Sequence, residues 1–288
     1  MIIWLASYPK SGNTWVRSFL NSLLFTNDGD ADLKTIKNIY QFPVRSQFGN
    51  LIHDQDKIDN LKILSENWIP IQKKINIDKK IRFLKTHHAL CNVDGNPFTD
   101  VNNTHGVIYI VRDPRNVITS IKYHYSKASY EDALNFMLSE NKIIGRNLKV
   151  KQKVYLDQDI LTLTSSWKTN YNSWKTFKKN YLLIKYEDLL DNDVREFNRI
   201  VNYLSTILNT SFKKEKIDKA INSNNFENLK KIESTKGFEE SAKDKKTGEK
   251  KAFFNLGPNN DWQNLLDTNI IERIEFNFKK EMKELGYL

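Results

Sequence analysis

The sequence predicts an α/β protein of three layers, with a central parallel sheet flanked by helices. Short apolar runs of strand length recur along the chain, and stretches with helical spacing of large apolar residues separate them. In addition, each run ends close to a cationic, hydroxyl-bearing or aromatic polar residue, which is where open parallel sheets hold their ligands.

Residues 2–7 (IIWLAS) are apolar almost throughout, as a strand buried on both faces requires. The stretch SYPKSGNTW at 7–15 breaks that run with proline, lysine and glycine. Across 14–25, Trp15, Val16, Phe19, Leu20, Leu23 and Leu24 then fall at helical spacing. A second run at 81–86 (IRFLKT) leads into His87 and His88, and a third at 107–111 (VIYIV) ends at Arg112. Asp113-Pro114 reads as an N-cap followed by proline at the first helical position, predicting a helix from 114 to about 125. The fourth run, 181–186 (YLLIKY), precedes a helix expected to begin near Asn192; residues 157–178 and 268–284 also read as helices. No internal repeat and no Pro/Gly-rich linker divides the chain, so 1–288 is expected to be a single domain. The one break in composition, 234–251 (STKGFEESAKDKKTGEKK), is charged and poor in large apolar side chains; taken alone it reads as a solvated or disordered loop.

With 288 residues, 39% of them apolar, and 6 Trp, 12 Tyr and 16 Phe, the chain can bury a sizeable core. The net charge of +10 admits a nucleic-acid partner. The lysines, however, accompany many Asn and Ile residues, as in a chain biased throughout, and a basic surface equally suits an enzyme with a polyanionic cofactor. The aromatics fit a core and a cofactor crevice better than a nucleic-acid patch, so no nucleic-acid partner is expected. The single cysteine, Cys91, excludes an intramolecular disulfide and a multi-cysteine metal site. The apolar start is too short for a signal peptide or a membrane span, so a cytoplasmic protein without a membrane span is expected.

Beyond the predicted strand ends stand Lys10-Ser11-Gly12-Asn13-Thr14, Lys85-Thr86-His87, Arg112 and Tyr186. These are expected to converge on one crevice. Gly12 lets the backbone turn closely round an anion, and the amides of Asn13, Thr14 and Trp15 at a helix N-terminus are expected to face it. A polyanion is the ligand this chemistry serves. Singly, each feature has a plainer explanation: a turn that binds nothing, a satisfied pair of surface histidines, an ion-pairing arginine. Their occurrence in this order, each at the end of a predicted strand, is what those explanations handle badly.

These residues resemble a family. YPKSGNTW is similar to the 5′-phosphosulfate loop of the soluble sulfotransferases that use 3′-phosphoadenosine 5′-phosphosulfate (PAPS), whose usual form is YPKSGTTW; Asn13 alone departs. VRDPRNVITSIKYHY resembles their 3′-phosphate motif, with Arg112 at a strand end and Ser120 two helical turns beyond Asp113 on the same face. FLKTHH resembles the segment carrying the catalytic base, which maps onto His87 by register, with His88 adjacent. YLLIKYEDL looks like the strand supplying an adenine-contacting tyrosine, Tyr186, and NFENLKK like the segment whose phenylalanine, Phe226, lies against the adenine. In FFNLGPNNDWQN, Gly257 and Asp261-Trp262 fit the family's last loop, while Asn255-Leu256 replace an Arg-Lys pair and Asn260 replaces a glycine. The resemblance runs from residue 2 to about 264.

It implies a P-loop NTPase-like sulfotransferase fold and transfer of a sulfuryl group from PAPS to a hydroxyl or amine, with no metal required. His87, Lys10 and Lys85 would be catalytic. Ser11, Gly12, Asn13 and Thr14 would hold the 5′-phosphate, and Arg112 with Ser120 the 3′-phosphate. Trp15, Tyr186 and Phe226 would enclose the adenine, Gly257 would belong to the closing loop, and 234–251 would be a lid. The acceptor would be a small molecule or carbohydrate, in a pocket drawn largely from 26–80 and 126–165 with Phe42, Phe48, Trp68, Tyr130 and Phe136. A homodimer is common in the family, although no short dimer motif stands out in this sequence. A P-loop-like kinase is the nearest rival, but GxxxxGK[ST] and an evident Mg²⁺-binding Asp are absent. An inactive member that binds an anionic ligand is the other.

Overall fold

The computed structural model describes residues 1–49, 51–52, 57–145, 160–242 and 247–288. Strand β1 (Ile2–Ser7) is buried at every position and α1 (Asn13–Phe25) follows it. A short α2 (Arg45–Gly49) precedes α3 (Leu61–Ile75), whose N-cap Asn60 accepts the Lys62 and Ile63 amides. Strand β2 (Arg82–Thr86) runs parallel to β1, with Ile2 opposite Arg82 and Ala6 opposite Thr86. After a small hairpin of β3 (Asn92–Val93) and β4 (Asn96–Pro97) comes β5 (Thr104–Val111). Helix α4 (Pro114–His124) starts as expected, with proline at its head and the Asp113 carboxylate accepting the Arg115 amide.

Helix α5 (Tyr130–Leu138) and the antiparallel pair β6 (Ile143–Ile144) and β7 (Thr162–Leu163) follow. Next come α6 (Trp167–Lys175), β8 (Tyr181–Lys185), α7 (Tyr186–Asp191) and α8 (Asp193–Leu208), the last capped by Asn192. The chain finishes with α9 (Lys214–Ser223), α10 (Phe226–Lys236), the short α11 (Trp262–Leu265) and α12 (Thr268–Leu285). The central parallel sheet has the order β2-β1-β5-β8, the α/β architecture expected.

Two elements differ from expectation. The helix anticipated over 157–178 is confined to Trp167–Lys175, because Thr162 and Leu163 pair with β6 and Ser166 caps the helix by accepting the Thr169 amide at 3.1 Å; residues 157–159 lie outside the described residues. The last main strand ends at Lys185, and Tyr186 already opens a helical turn.

The chain packs as two compact units. The first comprises Met1–Tyr8, Ile39–Tyr109 and Ser139–Tyr181. Its core is aromatic and centres on Phe98, which is fully buried. The Phe98 ring stacks on His88 at 4.4 Å and meets Trp4 and Trp68, each at 5.4 Å. The second comprises Pro9–Asn38, Ile110–Leu138 and Leu182–Leu288. There α1 packs on α8 through Phe19 stacked on Phe197 at 4.1 Å, with Trp15 edge-on to Phe197.

Truncating Phe98 opens a cavity where several rings meet. Urea unfolding of Phe98→Ala is expected to show a loss of about 3–5 kcal/mol. Phe276→Ala, at a side chain 83% exposed, is expected to change stability by less than about 0.5 kcal/mol.

Candidate active site

In the second unit, the loop ahead of α1 turns through left-handed conformations at Lys10 (φ 66°) and Gly12 (φ 97°). A Cβ at Gly12 would lie 2.4 Å from Cδ2 of Tyr186, so this approach of ring to main chain requires glycine. Ser11 is fully buried between them, and its Oγ has no hydrogen-bond partner. No side chain caps the α1 N-terminus, which leaves its dipole to a ligand. Of the amides expected to face an anion, that of Trp15 is already engaged by the Gly12 carbonyl at 3.1 Å. Asn13 and Thr14 are buried in the first turn of the helix. The Lys10 ammonium lies 4.1 Å from the centroid of the Phe253 ring.

Arg112, just past β5, is the second half of this cradle. Its guanidinium stacks over the Tyr186 ring at 4.1 Å, and Nη1 donates to the Lys10 carbonyl and to Ser120 Oγ, each at 3.3 Å. Its Nε is buried and has no partner. The backbone next to it is pinned, since the Asp113 amide donates to Glu187 at 2.9 Å and the Tyr287 hydroxyl donates to the same carboxylate at 2.7 Å. Burial raises the pKa of both Tyr186 and Glu187. Tyr186 also meets Trp15 edge-on at 5.8 Å, and Trp15 Nε1 donates to the Asn224 carbonyl at 2.6 Å. Two residues on, Phe226 lies against the main chain of Gly257, where a Cβ would sit 2.1 Å from the ring.

The described part of the charged stretch is tethered, contrary to a wholly solvated loop. Glu233 accepts from the Ser241 hydroxyl and the Phe253 amide, both at 2.7 Å, and from the Phe254 amide at 2.9 Å. Glu240 pairs with the buried Arg17 of α1, and Phe238 is buried. Residues 243–246 lie outside the described residues.

In the first unit, Lys85 is buried at the end of β2. Its amide donates to the Tyr40 carbonyl at 2.9 Å, and its carbonyl accepts the Phe42 amide at 2.8 Å. His87 is half-buried, with Nδ1 2.9 Å from the Ser7 carbonyl and 3.2 Å from Ser7 Oγ. A carbonyl can only accept, so Nδ1 carries a proton, and in the neutral ring the lone pair is on Nε2. Asn170 fixes the backbone here, donating to the His87 carbonyl at 3.1 Å and to the Thr164 carbonyl at 2.8 Å.

His88 has a different fate. It is fully buried; Nε2 accepts the Leu163 amide at 3.2 Å, and Nδ1 donates to the Ala89 carbonyl at 3.2 Å. Desolvation lowers its pKa from 6.5 to about 3. A neutral ring with both nitrogens engaged in a dry core has no means of taking a proton from a ligand.

A sulfotransferase-domain profile matches residues 2–286. The chain belongs to the sulfotransferase family. It is a PAPS-dependent enzyme of sulfuryl transfer, as the motifs above lead one to expect. The sulfotransferase is 24% identical to Sulfotransferase 1B1 of Canis lupus familiaris, over 97% of this chain and 83% of that one. It is 24% identical to luciferin sulfotransferase of Photinus pyralis, over 99% and 73%, and 22% identical to amine sulfotransferase of Oryctolagus cuniculus, over 98% and 81%. Its fold is similar to that of mouse sulfotransferase SULT7A1 complexed with PAP, with TM-score 0.56 and 18% identity over 98% of this chain and 84% of that one. A retinol dehydratase in complex with androsterone and PAP gives 0.55 and 18%, over 98% and 80%.

Among the described residues of this sulfotransferase, no cluster of His, Cys, Asp or Glu is placed to hold a metal ion, and no helix is long and apolar enough to cross a membrane. The expected acceptor pocket needs correction. Phe42, Phe48 and Trp68 are fully buried core residues, and Phe136 is buried with its ring stacked on Tyr125 at 5.0 Å. Tyr130 alone of the five is half-buried, beneath Lys122 at 4.5 Å. Part of the region assigned to that pocket, 50, 53–56 and 146–159, lies outside the described residues. Sequence reasoning missed Ser7 and the tether at Glu233, and met Asn260 only as a departure from a motif; the partners of Ser7 and Asn260 lie far away along the chain.

The buried His88 makes the sulfotransferase acid-sensitive. The unfolded chain protonates this ring below its ordinary 6.5, the folded chain only near 3, so stability falls as pH drops through that window. Between pH 7 and pH 5 the expected loss is about 2 kcal/mol. Urea titrations at both pH values should show that share disappearing in His88→Gln.

Proposed function

We propose that this sulfotransferase holds PAPS on the 10–14 loop together with Arg112 and Ser120, and passes the sulfuryl group to a hydroxyl or amine of a small molecule or carbohydrate with His87 as base. One observation carries the reading. Ser11 Oγ and Arg112 Nε are buried polar groups without partners in the same unit. Leaving such donors unanswered costs about 1–3 kcal/mol each, more for a charged group, and a phosphate oxygen would answer both.

When bound, PAPS supplies a sulfuryl group carrying less negative charge than a γ-phosphoryl group, so cations and amides can stabilise its transfer without a metal. Ser11, Gly12, Asn13 and Thr14 hold the 5′-phosphate, and Arg112 and Ser120 the 3′-phosphate. Trp15, Tyr186 and Phe226 face the adenine, with Gly257 behind Phe226. Lys10 neutralises charge gathering on the bridging oxygen, and Lys85 adds a second positive charge. His87 takes the acceptor's proton on Nε2, its Nδ1 being committed to Ser7. The acceptor atom bonds to sulfur as the bond to the bridging oxygen breaks, and adenosine 3′,5′-bisphosphate leaves. The tethers of Glu233 and Glu240 support a closing role for the described part of 234–251. We also take the chain to act as a single domain in the cytoplasm, with no nucleic-acid partner; sedimentation would test the homodimer that the family leads us to expect.

Calorimetric titration should give tighter binding of adenosine 3′,5′-bisphosphate than of ATP; preference for ATP would turn the reading toward a kinase. His87→Ala should lower kcat by about 10²–10⁴-fold while bisphosphate binding survives, and a fully active variant would remove His87 from the mechanism. Arg112→Ala should chiefly raise the donor KM; an unchanged KM would mean that Arg112 does not hold the 3′-phosphate.

A further inference from the structure

The loop after Gly257 reaches α4 through one buried side chain. Asn260 is 6% exposed. Its Oδ1 accepts from Thr119 Oγ1 at 2.6 Å, and its Nδ2 donates to the Asn116 carbonyl at 2.9 Å and to Ser120 Oγ at 3.4 Å. The contact is reciprocal, because the Trp262 amide donates to Asn116 Oδ1 at 3.1 Å. The Asn116 carbonyl, which can only accept, fixes the amide with its nitrogen toward that carbonyl, and the single Thr119 proton lies between Asn260 Oδ1 and the Asn116 carbonyl, the latter 2.8 Å away.

The consequence falls on Ser120. A serine hydroxyl has two acceptor lone pairs and one proton. Arg112 Nη1 donates to Ser120 Oγ at 3.3 Å and Asn260 Nδ2 donates at 3.4 Å. With both lone pairs engaged, the proton points away from these donors, and the hydroxyl can act on a further group only by donating. An anion is the partner such a group recognises. The neighbouring Asn255 and Leu256 bring no cation to the same loop. Beyond the charge of Arg112, discrimination for a second phosphate then rests on how Ser120 is oriented.

We propose that Asn260 is a positioning residue for the 3′-phosphate. It holds Ser120 as an obligate donor and so sets the preference for a nucleotide phosphorylated at both 3′ and 5′ positions over one phosphorylated at 5′ alone. The inference rests on the assignment of Arg112 and Ser120 to the 3′-phosphate. Released from Asn260, the hydroxyl can rotate its proton elsewhere, and the bond to phosphate must be bought with lost rotational freedom.

The test is calorimetric titration of the full chain with adenosine 3′,5′-bisphosphate and, separately, with AMP. Asn260→Ala should weaken bisphosphate binding about 10-fold and leave AMP binding unchanged, which also reports an intact fold. In a Ser120→Ala background the same substitution should have no further effect, because Asn260 acts through that hydroxyl. Should Asn260→Ala not fold, Asn260→Leu carries the same comparison, since it is close in size and loses the donor to Ser120 without adding a charge beside the phosphate. Equal weakening of both ligands, no weakening, or additive losses in the double variant would overturn the proposal. A wild type with no preference for the bisphosphate over AMP would overturn it together with the assignment beneath it. A normal wild-type preference with an unaffected Asn260→Ala would overturn the role of Asn260 alone.

Discussion

A buried guanidinium governs the second unit. Arg112 is withdrawn from water, and the surrounding chain answers its charge with an aromatic face, a backbone carbonyl and a hydroxyl. None of these carries a negative charge. These neutral partners hold the cation in place, while its charge also acts on the Glu187 carboxylate and lowers that group's pKa against the rise from burial. The carboxylate nearby, Glu187, is occupied by the Asp113 amide and the Tyr287 hydroxyl, and burial raises its pKa. Arg115, the next arginine on, shows the opposite solution. It is bound by Asp113 and Glu275, and it stacks on Trp262 at 4.0 Å. Its charge is consumed in holding α4 to the end of the chain. One arginine is held by two carboxylates, and its near neighbour by a carbonyl and a hydroxyl.

The same division of labour separates His87 from His88. The two are adjacent in sequence and identical in chemistry, and only packing distinguishes them. His88 fills a slot between Phe98 and Trp68, where a charged ring would be stranded. His87 remains half-buried and leans on a backbone oxygen of β1, which sets its tautomer. The strand that ends in Ser7 thus orients the imidazole in the first unit, and the loop that it enters, from Lys10, belongs to the second.

Much of this was legible in the sequence because it is local. The first strand, the glycine turn after it and the Asp113-Pro114 helix start are each written within a few residues, and each is where expected. Local signals failed where tertiary pairing overrode them. Thr162 and Leu163 lie in a stretch of helical spacing but join β6. The aromatics assigned to an acceptor pocket could not be told from core by type, since an apolar ring serves either purpose; Phe42, Phe48 and Trp68 are core. Asn260 was visible only as a departure from a motif. Its meaning depends on Asn116, Thr119 and Ser120, more than a hundred residues away.

The two glycines that touch aromatic rings shape the second unit by what they lack. Tyr186 leans on the main chain at Gly12, and Phe226 on that at Gly257, each closer than any side chain would permit. Backbone has no rotamers, so a ring braced against it is stiffer than one braced against a neighbouring side chain. A flat heterocycle arriving beside such rings finds surfaces whose motion was already surrendered when the chain folded. Ordering a loose side chain on association costs about 0.5–1.5 kcal/mol, and bracing of this kind moves that cost from the encounter to folding.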